Sequence, residues 1–160
     1  MITLYRSLSV TIAVLVGVQA GSHAWASAGL SRYIMGGAVV DKSMMEDTGG
    51  PLPFPEVAGI LVHGLNGGIV IPAVALALLV VSFFARVPGA ILRAGVVLGL
   101  VALQMTLGYA GHDQPVMGLF HGLNALVLFG AALWAWRVTA PRPATRDGAE
   151  TTGAEESVAV

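Results

Sequence analysis

The sequence contains no cysteine and little charge. The absence of cysteine among 160 residues excludes a disulfide scaffold, a thiolate metal site and covalent haem attachment through a Cys-x-x-Cys-His motif. Charged residues make up 11% of the chain, whereas a soluble domain carries about 25%. The formal net charge of −1 excludes an electrostatic nucleic-acid binder, because such a protein needs a basic face.

Apolar residues are abundant instead, at 56% of the chain, and they cluster into four long segments. A helix needs about 20 mostly apolar residues to cross the hydrocarbon core of a lipid bilayer. We therefore predict an all-α fold, an integral membrane four-helix up-down bundle built from two tandem helical hairpins. The predicted spans cover roughly residues 8–30, 57–85, 90–111 and 116–136.

The segments between and after the spans complete the predicted organisation. Residues 29–55 form a long outer loop, and two tight turns connect the remaining spans. Residues 1–138 then constitute one transmembrane domain. Residues 139–160 are rich in Pro, Ala, Thr, Gly and Glu without apolar periodicity, so we expect a disordered cytoplasmic tail.

The positions of Lys and Arg predict the orientation. One predicted side of the bundle holds Arg6, Arg86, Arg93, Arg137, Arg142 and Arg146. The other side holds only Arg32 and Lys42. Because cytoplasmic loops carry the basic excess, we expect a multi-pass plasma-membrane protein with both termini in the cytoplasm. An alternative for the first span is a signal peptide, since a short apolar run precedes Ala24-Trp25-Ala26.

A four-residue motif occurs twice, as His63-Gly64-Leu65-Asn66 and as His121-Gly122-Leu123-Asn124. The preceding spans also match, because Gln19 and Gln104 follow similar apolar residues. These matches indicate two copies of one hairpin, related by a pseudo-twofold axis along the membrane normal. The second and fourth helices of an up-down bundle are diagonal, so His63 and His121 are expected to face each other across the core.

Two facing imidazoles on diagonal helices are a natural pair of axial ligands for haem iron, and bundle interiors commonly hold cofactors. Ionisable residues inside a membrane are costly and are functional candidates by default. We therefore predict a haem b site with His63 and His121 as iron ligands. Pro72 is expected to interrupt the second helix near Gly68. Small residues give a porphyrin room between the helices: Gly59, Gly64, Gly67 and Gly122.

Further polar residues are predicted to surround this pair: Asn66, Asn124, Gln19, Gln104, His23 and His112. The second nitrogen of a ligating imidazole needs a partner, and backbone carbonyls and the two asparagines are the candidates. The glutamines are expected to face the core and to bond to each other, to the asparagines or to water. The two remaining histidines lie nearer the outer interface, where a wet surface position and a cofactor or substrate contact are both open.

The sequence leaves several functions open. A haem protein of this kind serves electron transfer, haem handling or assembly of a respiratory complex, with a respiratory-chain protein or a quinone as partner. In a non-redox accessory subunit, the histidines only bridge helices. In a third interpretation, His23, His63, His112 and His121 capture Cu or Zn. Enzyme activity, as a haem-dependent oxidoreductase, is also left open, because no catalytic group beyond a possible haem is visible.

The run Leu103-Gln104-Met105-Thr106-Leu107-Gly108, with His121 opening the next span, resembles haem A synthase. That family has two four-helix halves, and in each half the second and fourth helices carry a histidine pair of a haem site. His63 and His121 match these positions within one half, so the resemblance implies bis-histidine haem binding. The chain is also similar to small actinobacterial four-span membrane proteins.

The sequence departs from haem A synthase in three respects. That family has eight spans, a glutamate important for activity and, in many members, a cysteine pair in an outer loop. This chain has four predicted spans, no glutamate in the first of them and no cysteine. The resemblance therefore implies haem binding and does not extend to oxidation of a methyl group. Two copies of this chain in a homodimer would together provide an eight-helix arrangement.

Overall fold

A computed structural model describes residues 1–41 and 52–137. These residues form four long helices, α1 Ile2–Met35, α2 Pro55–Phe84, α3 Ala90–Asp113 and α4 Pro115–Trp136. Each helix is long and apolar enough to cross a membrane. The predicted all-α membrane bundle is confirmed, and the described ranges contain no strand.

The first helix is longer than the predicted first span. It begins at Ile2 rather than near residue 8, and it continues to Met35, so the outer loop does not begin at residue 29. The predicted span is bounded by counting apolar residues. A helix can continue beyond the apolar region into water, where its polar side chains find hydrogen-bonding or charged partners. Arg32 in the last turn, for example, forms an ion pair with Glu56 at 2.7 Å. The predicted tail, 139–160, and residues 42–51 of the loop lie outside the described residues.

Two short connections set the up-down order. Gly89 precedes α3 with a φ of 77°, a left-handed conformation that glycine adopts without steric cost. Gln114 is extended between α3 and α4. Pro115 is the first residue of α4, a position that suits proline because an N–H there would be unsatisfied in any case.

The helices contact one another in a closed square. Each packs against its neighbours in sequence, and α1 also packs against α4. In this arrangement α2 and α4 occupy one diagonal and α1 and α3 the other. The square therefore places the two repeated His-Gly-Leu-Asn motifs on diagonal helices.

The two ends of the bundle differ in packing. The core half, residues 1–17, 71–101 and 125–137, contains a contiguous apolar core, whose largest fully buried apolar side chains are Tyr5, Ile12, Leu78, Val97 and Leu128. The hydroxyl of Tyr5 donates to the carbonyl of Ala90 at 3.1 Å there. The histidine half comprises residues 18–35, 52–70 and 102–124. Of its described apolar residues, only Ala26 and Phe54 are buried.

Candidate functional site

The second helix is irregular at the level of its histidine. A 3-10 turn, Pro55–Val57, precedes an α-helical segment, Ala58–Leu65. A π-helical turn, Asn66–Val70, follows directly, and the α-helix resumes at Ile71. Pro72 has no N–H and its ring crowds the carbonyl of Gly68, so the wider π turn accommodates it. The predicted interruption near Gly68 is thus present as a π turn.

The structure brings the two repeated histidines together between the diagonal helices. The ring centroids of His63 on α2 and His121 on α4 lie 6.0 Å apart, with an angle of 48° between the ring planes. Both residues are half-buried. The site therefore consists of two imidazoles that meet within the histidine half of the bundle.

Each ring is held by a backbone carbonyl of the preceding helix. The Nδ1–H of His63 donates to the carbonyl of Gln19 at 3.1 Å, and the Nδ1–H of His121 donates to that of Gln104 at 3.0 Å. A carbonyl oxygen can only accept, so the proton of each neutral ring is on Nδ1 and Nε2 keeps its lone pair. Backbone carbonyls, rather than the asparagines, are thus the partners of both rings.

The first asparagine joins α1 to α2 one turn beyond its histidine. Asn66 is buried, and its Nδ2 donates to the carbonyl of Leu15 at 3.0 Å and to Oε1 of Gln19 at 2.9 Å. Interhelical bonds of this kind hold membrane helices together. Gln19 therefore bonds to the asparagine, one of the partners expected from the sequence.

The second hairpin repeats these bonds. The Nδ2 of Asn124 donates to the carbonyl of Leu100 at 3.0 Å and to Oε1 of Gln104 at 2.6 Å. One offset in the sequence relates Leu15 and Gln19 to Leu100 and Gln104, and another relates the two His-Gly-Leu-Asn motifs. The internal repeat is therefore also a repeat of side-chain geometry. We call α1 with α2 hairpin 1, and α3 with α4 hairpin 2.

The position beside each histidine differs between the hairpins. In hairpin 1, the ring of His23 packs edge-on against His63, with centroids 5.1 Å apart. The equivalent residue of hairpin 2 is Gly108. A Cβ at Gly108 would lie 3.1 Å from Cε1 and Nδ1 of His121, so even an alanine is tight there. Gly108 was not predicted as a site residue, although it ends the Leu-Gln-x-x-Leu-Gly run.

The predicted porphyrin-facing glycines have different roles in the structure. A Cβ at Gly59 would collide with the carbonyl of Ser22, so this glycine permits close packing of α1 on α2. A Cβ at Gly67 would collide with Nε2 of Gln19, which places Gly67 beside the polar cluster. Gly64 and Gly122 are exposed, and a Cβ on either would contact nothing within 4 Å. A Cβ would therefore meet backbone at Gly59, the end of a flexible side chain at Gly67, and open space at Gly64 and Gly122.

Three of the four histidines form the cluster. His112 is exposed near the end of α3, and the ring contacts among the described histidines join only His23, His63 and His121. Within residues 1–41 and 52–137, no group of three or more His, Asp or Glu side chains is placed to hold a metal ion. The described part of the chain therefore does not form the four-histidine Cu or Zn site.

Two buried side-chain oxygens within the described ranges have no hydrogen-bond partner, and both belong to α2. They are Oδ1 of Asn66 and Oε2 of Glu56. The other carboxylate oxygen of Glu56 accepts from Arg32, and the side chain packs against Gly29 of α1. Buried polar atoms without hydrogen-bond partners are costly. Although hairpin 1 shares its main hydrogen bonds with hairpin 2, it therefore leaves two buried oxygens of the described residues unpaired.

Comparison with known proteins finds no matching family model, curated protein or solved structure. The chemistry of the site is therefore inferred from its own residues.

Proposed function

We propose that this is a membrane haem-b-binding protein in which His63 and His121 supply both axial ligands. The ring separation carries the proposal, because the centroids lie 6.0 Å apart. A metal–imidazole bond is about 2 Å long, and a ring nitrogen lies about 1 Å from its ring centre. Two imidazoles that bound one metal ion from opposite sides would therefore have centroids about 6 Å apart.

The hydrogen bonds of the rings favour the same function. Metal-ligating histidines usually donate their other N–H to a carboxylate or carbonyl, which fixes the tautomer and the ring orientation. Gln19 and Gln104 provide carbonyls to both Nδ1 atoms. Both Nε2 lone pairs are then available to an iron between the helices.

The packing of the histidine half also supports a flat apolar cofactor. The apolar core cluster lies entirely within the core half. In the other half, polar and small residues surround the half-buried imidazoles, and the described buried apolar residues there are Ala26 and Phe54. A porphyrin between the helices would bury apolar surface that the side chains of this half leave exposed.

Bound haem supplies a one-electron carrier whose potential depends on axial ligation and burial. The protein's own residues fix both imidazoles by carbonyl bonds and hold the hairpins together through the two asparagines. We assign it to electron transfer, haem handling or assembly of a respiratory complex, with a quinone or a respiratory-chain protein as partner. In the proposed topology, both termini are cytoplasmic, the histidine half lies in the outer leaflet of the plasma membrane, and a homodimer is compatible with the square.

A second candidate is a non-redox accessory subunit. One observation favours it: both histidines and both asparagines already bond across their own hairpins. In that case the polar residues serve as packing contacts, and the open histidine half receives a helix of another membrane protein.

Optical spectroscopy of the detergent-purified protein separates the two candidates. The protein is expressed with adequate haem, alongside the double variant His63→Ala/His121→Ala and the control His112→Ala, which alters an exposed histidine outside the cluster. The haem proposal predicts the Soret band of a low-spin haem in the wild type and in the control, and loss of that low-spin spectrum in the double variant. A colourless wild type, or a double variant with the unchanged wild-type spectrum, rejects the haem proposal.

A further inference from the structure

We infer that His23 is a reserve ligand of the site, able to take the place of His63 on the hairpin 1 side, whereas hairpin 2 has no substitute for His121. This inference rests on the proposed haem site and adds a third residue to it. It makes the two sides of the site unequal: one ligand is exchangeable and the other is fixed.

The first observation is the position of the third ring. The centroid of His23 lies 5.1 Å from that of His63, closer than the 6.0 Å between His63 and His121. His23 comes from α1, the helix whose Gln19 carbonyl holds His63. The third imidazole therefore borders the volume that His63 occupies, and it is carried by a different helix.

The second observation is the freedom of that ring. His23 is exposed, and its Nδ1 lies 3.4 Å from the hydroxyl of Ser27, a long separation for a hydrogen bond. His63, in contrast, is held at 3.1 Å by a carbonyl. Rotation of His23 breaks only a weak interaction, so the ring can turn towards a position that His63 leaves.

The third observation is the backbone around His63. A π-helical turn begins three residues after His63, whereas α4 is α-helical through the equivalent residues. π turns of this kind are frequent at functional sites. In hairpin 2, Nε2 of Gln104 donates to the carbonyl of His121 at 3.0 Å. In hairpin 1, the equivalent amide nitrogen of Gln19 packs beside Gly67. The bond from Gln104 thus holds the backbone at His121 in place. The equivalent amide nitrogen of Gln19 is placed differently in hairpin 1.

The fourth observation is the residue opposite His23 in the repeat. Gly108 has no side chain that can ligate, and its Cα approaches His121 so closely that a Cβ would lie 3.1 Å from the ring. Removal of His121 therefore leaves a space that the residue at position 108 cannot fill with a donor. Removal of His63 leaves a space beside an imidazole.

The test compares single and double alanine variants by optical and electron paramagnetic resonance spectra of the purified protein. His63→Ala is expected to keep a six-coordinate, low-spin spectrum, and His63→Ala/His23→Ala to become high-spin. His121→Ala is expected to be high-spin although His23 is present. Its haem retention should fall at least about tenfold, a scale on which even outer-shell losses weaken metal binding. His112→Ala, which lies outside the three-histidine cluster, is the control and should keep the wild-type spectrum.

Free imidazole provides the folding control. Added to His63→Ala/His23→Ala or to His121→Ala, it should restore the low-spin spectrum if the pocket is intact. A high-spin His63→Ala that imidazole restores overturns the inference and leaves the haem proposal standing. A low-spin His63→Ala/His23→Ala also overturns it, because another group then replaces His63. A wild type without haem rejects the proposed function itself, and the reserve ligand with it.

Discussion

Hairpins 1 and 2 share one set of bonds and differ in what surrounds it. In both, a glutamine carbonyl holds the histidine, and an asparagine bonds to the same glutamine and to a leucine carbonyl. Around this shared set, hairpin 1 has a third imidazole, a π turn and a buried asparagine oxygen without a partner in the described residues. Hairpin 2 has a glycine, a regular helix and a further bond from its glutamine to the histidine carbonyl.

The difference indicates which parts of the duplicated unit fix the ligands and which parts distinguish them. The common bonds set the height and direction of both rings. The divergent residues decide how firmly each ring is held and which other side chains lie close to it. Equivalent substitutions in the two hairpins are therefore expected to have unequal effects.

Gly108→Val is expected to have the largest effect on cofactor binding. The added methyl groups would press on the ring of His121, because a Cβ alone lies 3.1 Å from it. We expect haem retention to fall at least about tenfold, since ligand orientation has effects of this size on metal sites. Gly99→Val on the same helix is the control, because a Cβ there meets nothing within 4 Å. Equal haem content in the two variants would contradict the close approach at Gly108.

Gly59→Ala is expected to have the largest effect on stability. Its Cβ would collide with the backbone of α1 at Ser22, so the helices of hairpin 1 must separate. Overpacking of this kind costs about 1–3 kcal/mol. The measurement is unfolding in mixed detergent micelles, with Gly64→Ala on the same helix as the control, because its Cβ enters open space. Equal stability of the two variants would mean that α1 and α2 are not in close contact at Gly59.

Asn124→Leu and Asn66→Leu compare the two asparagine bridges. Each substitution removes interhelical hydrogen bonds, which average about 0.6 kcal/mol and reach about 1.7 kcal/mol in membranes. Asn66→Leu should cost less, because it also removes a buried oxygen that has no partner within residues 1–41 and 52–137. The same unfolding measurement ranks the two variants. A larger loss at Asn66 would show that its oxygen is satisfied in the membrane.

Glu56→Gln is expected to have the smallest effect. The ion pair of Glu56 with Arg32 joins the start of α2 to the last turn of α1, and the side chain of Arg32 is 71% exposed whereas that of Glu56 is 14% exposed. Exposed ion pairs contribute about 0–1 kcal/mol and are screened by salt. The expected loss of stability is therefore within this range and should shrink as salt is added. A loss that high salt does not reduce would indicate that the carboxylate has another, buried role.

The sequence predicts the architecture and the pairing of the histidines for physical reasons. Four apolar segments separated by turn residues leave a membrane bundle as the sole outcome, and a repeated motif on alternate helices places His63 and His121 on one diagonal. The neighbour of each ring was not predictable, because it depends on rotation and close approach of the helices. His23 was predicted near the pair, with a surface position and a cofactor contact both left open, and it lies against the ring of His63. Gly108 is defined by its close approach to His121.

The structural role of each predicted glycine also could not be derived from the sequence, because it depends on how closely the helices approach. In the structure Gly59, His63 and Gly67 all contact α1, but their spacing of four residues does not tell which neighbouring atom each glycine meets. Gly59 meets the backbone of α1 and Gly67 meets a glutamine side chain. The π turn also could not be predicted from the sequence pattern, since Pro72 predicts an interruption of the helix but not the kind of turn that results.

The most direct test of the central claim is the haem content and ferric electron paramagnetic resonance spectrum of the wild-type protein after reconstitution with haem b. The account predicts one haem per chain and a low-spin signal of a bis-imidazole iron. Saturation with haem without a low-spin signal, or a failure to bind haem stoichiometrically, would contradict the claim that His63 and His121 both ligate a single iron between the two hairpins.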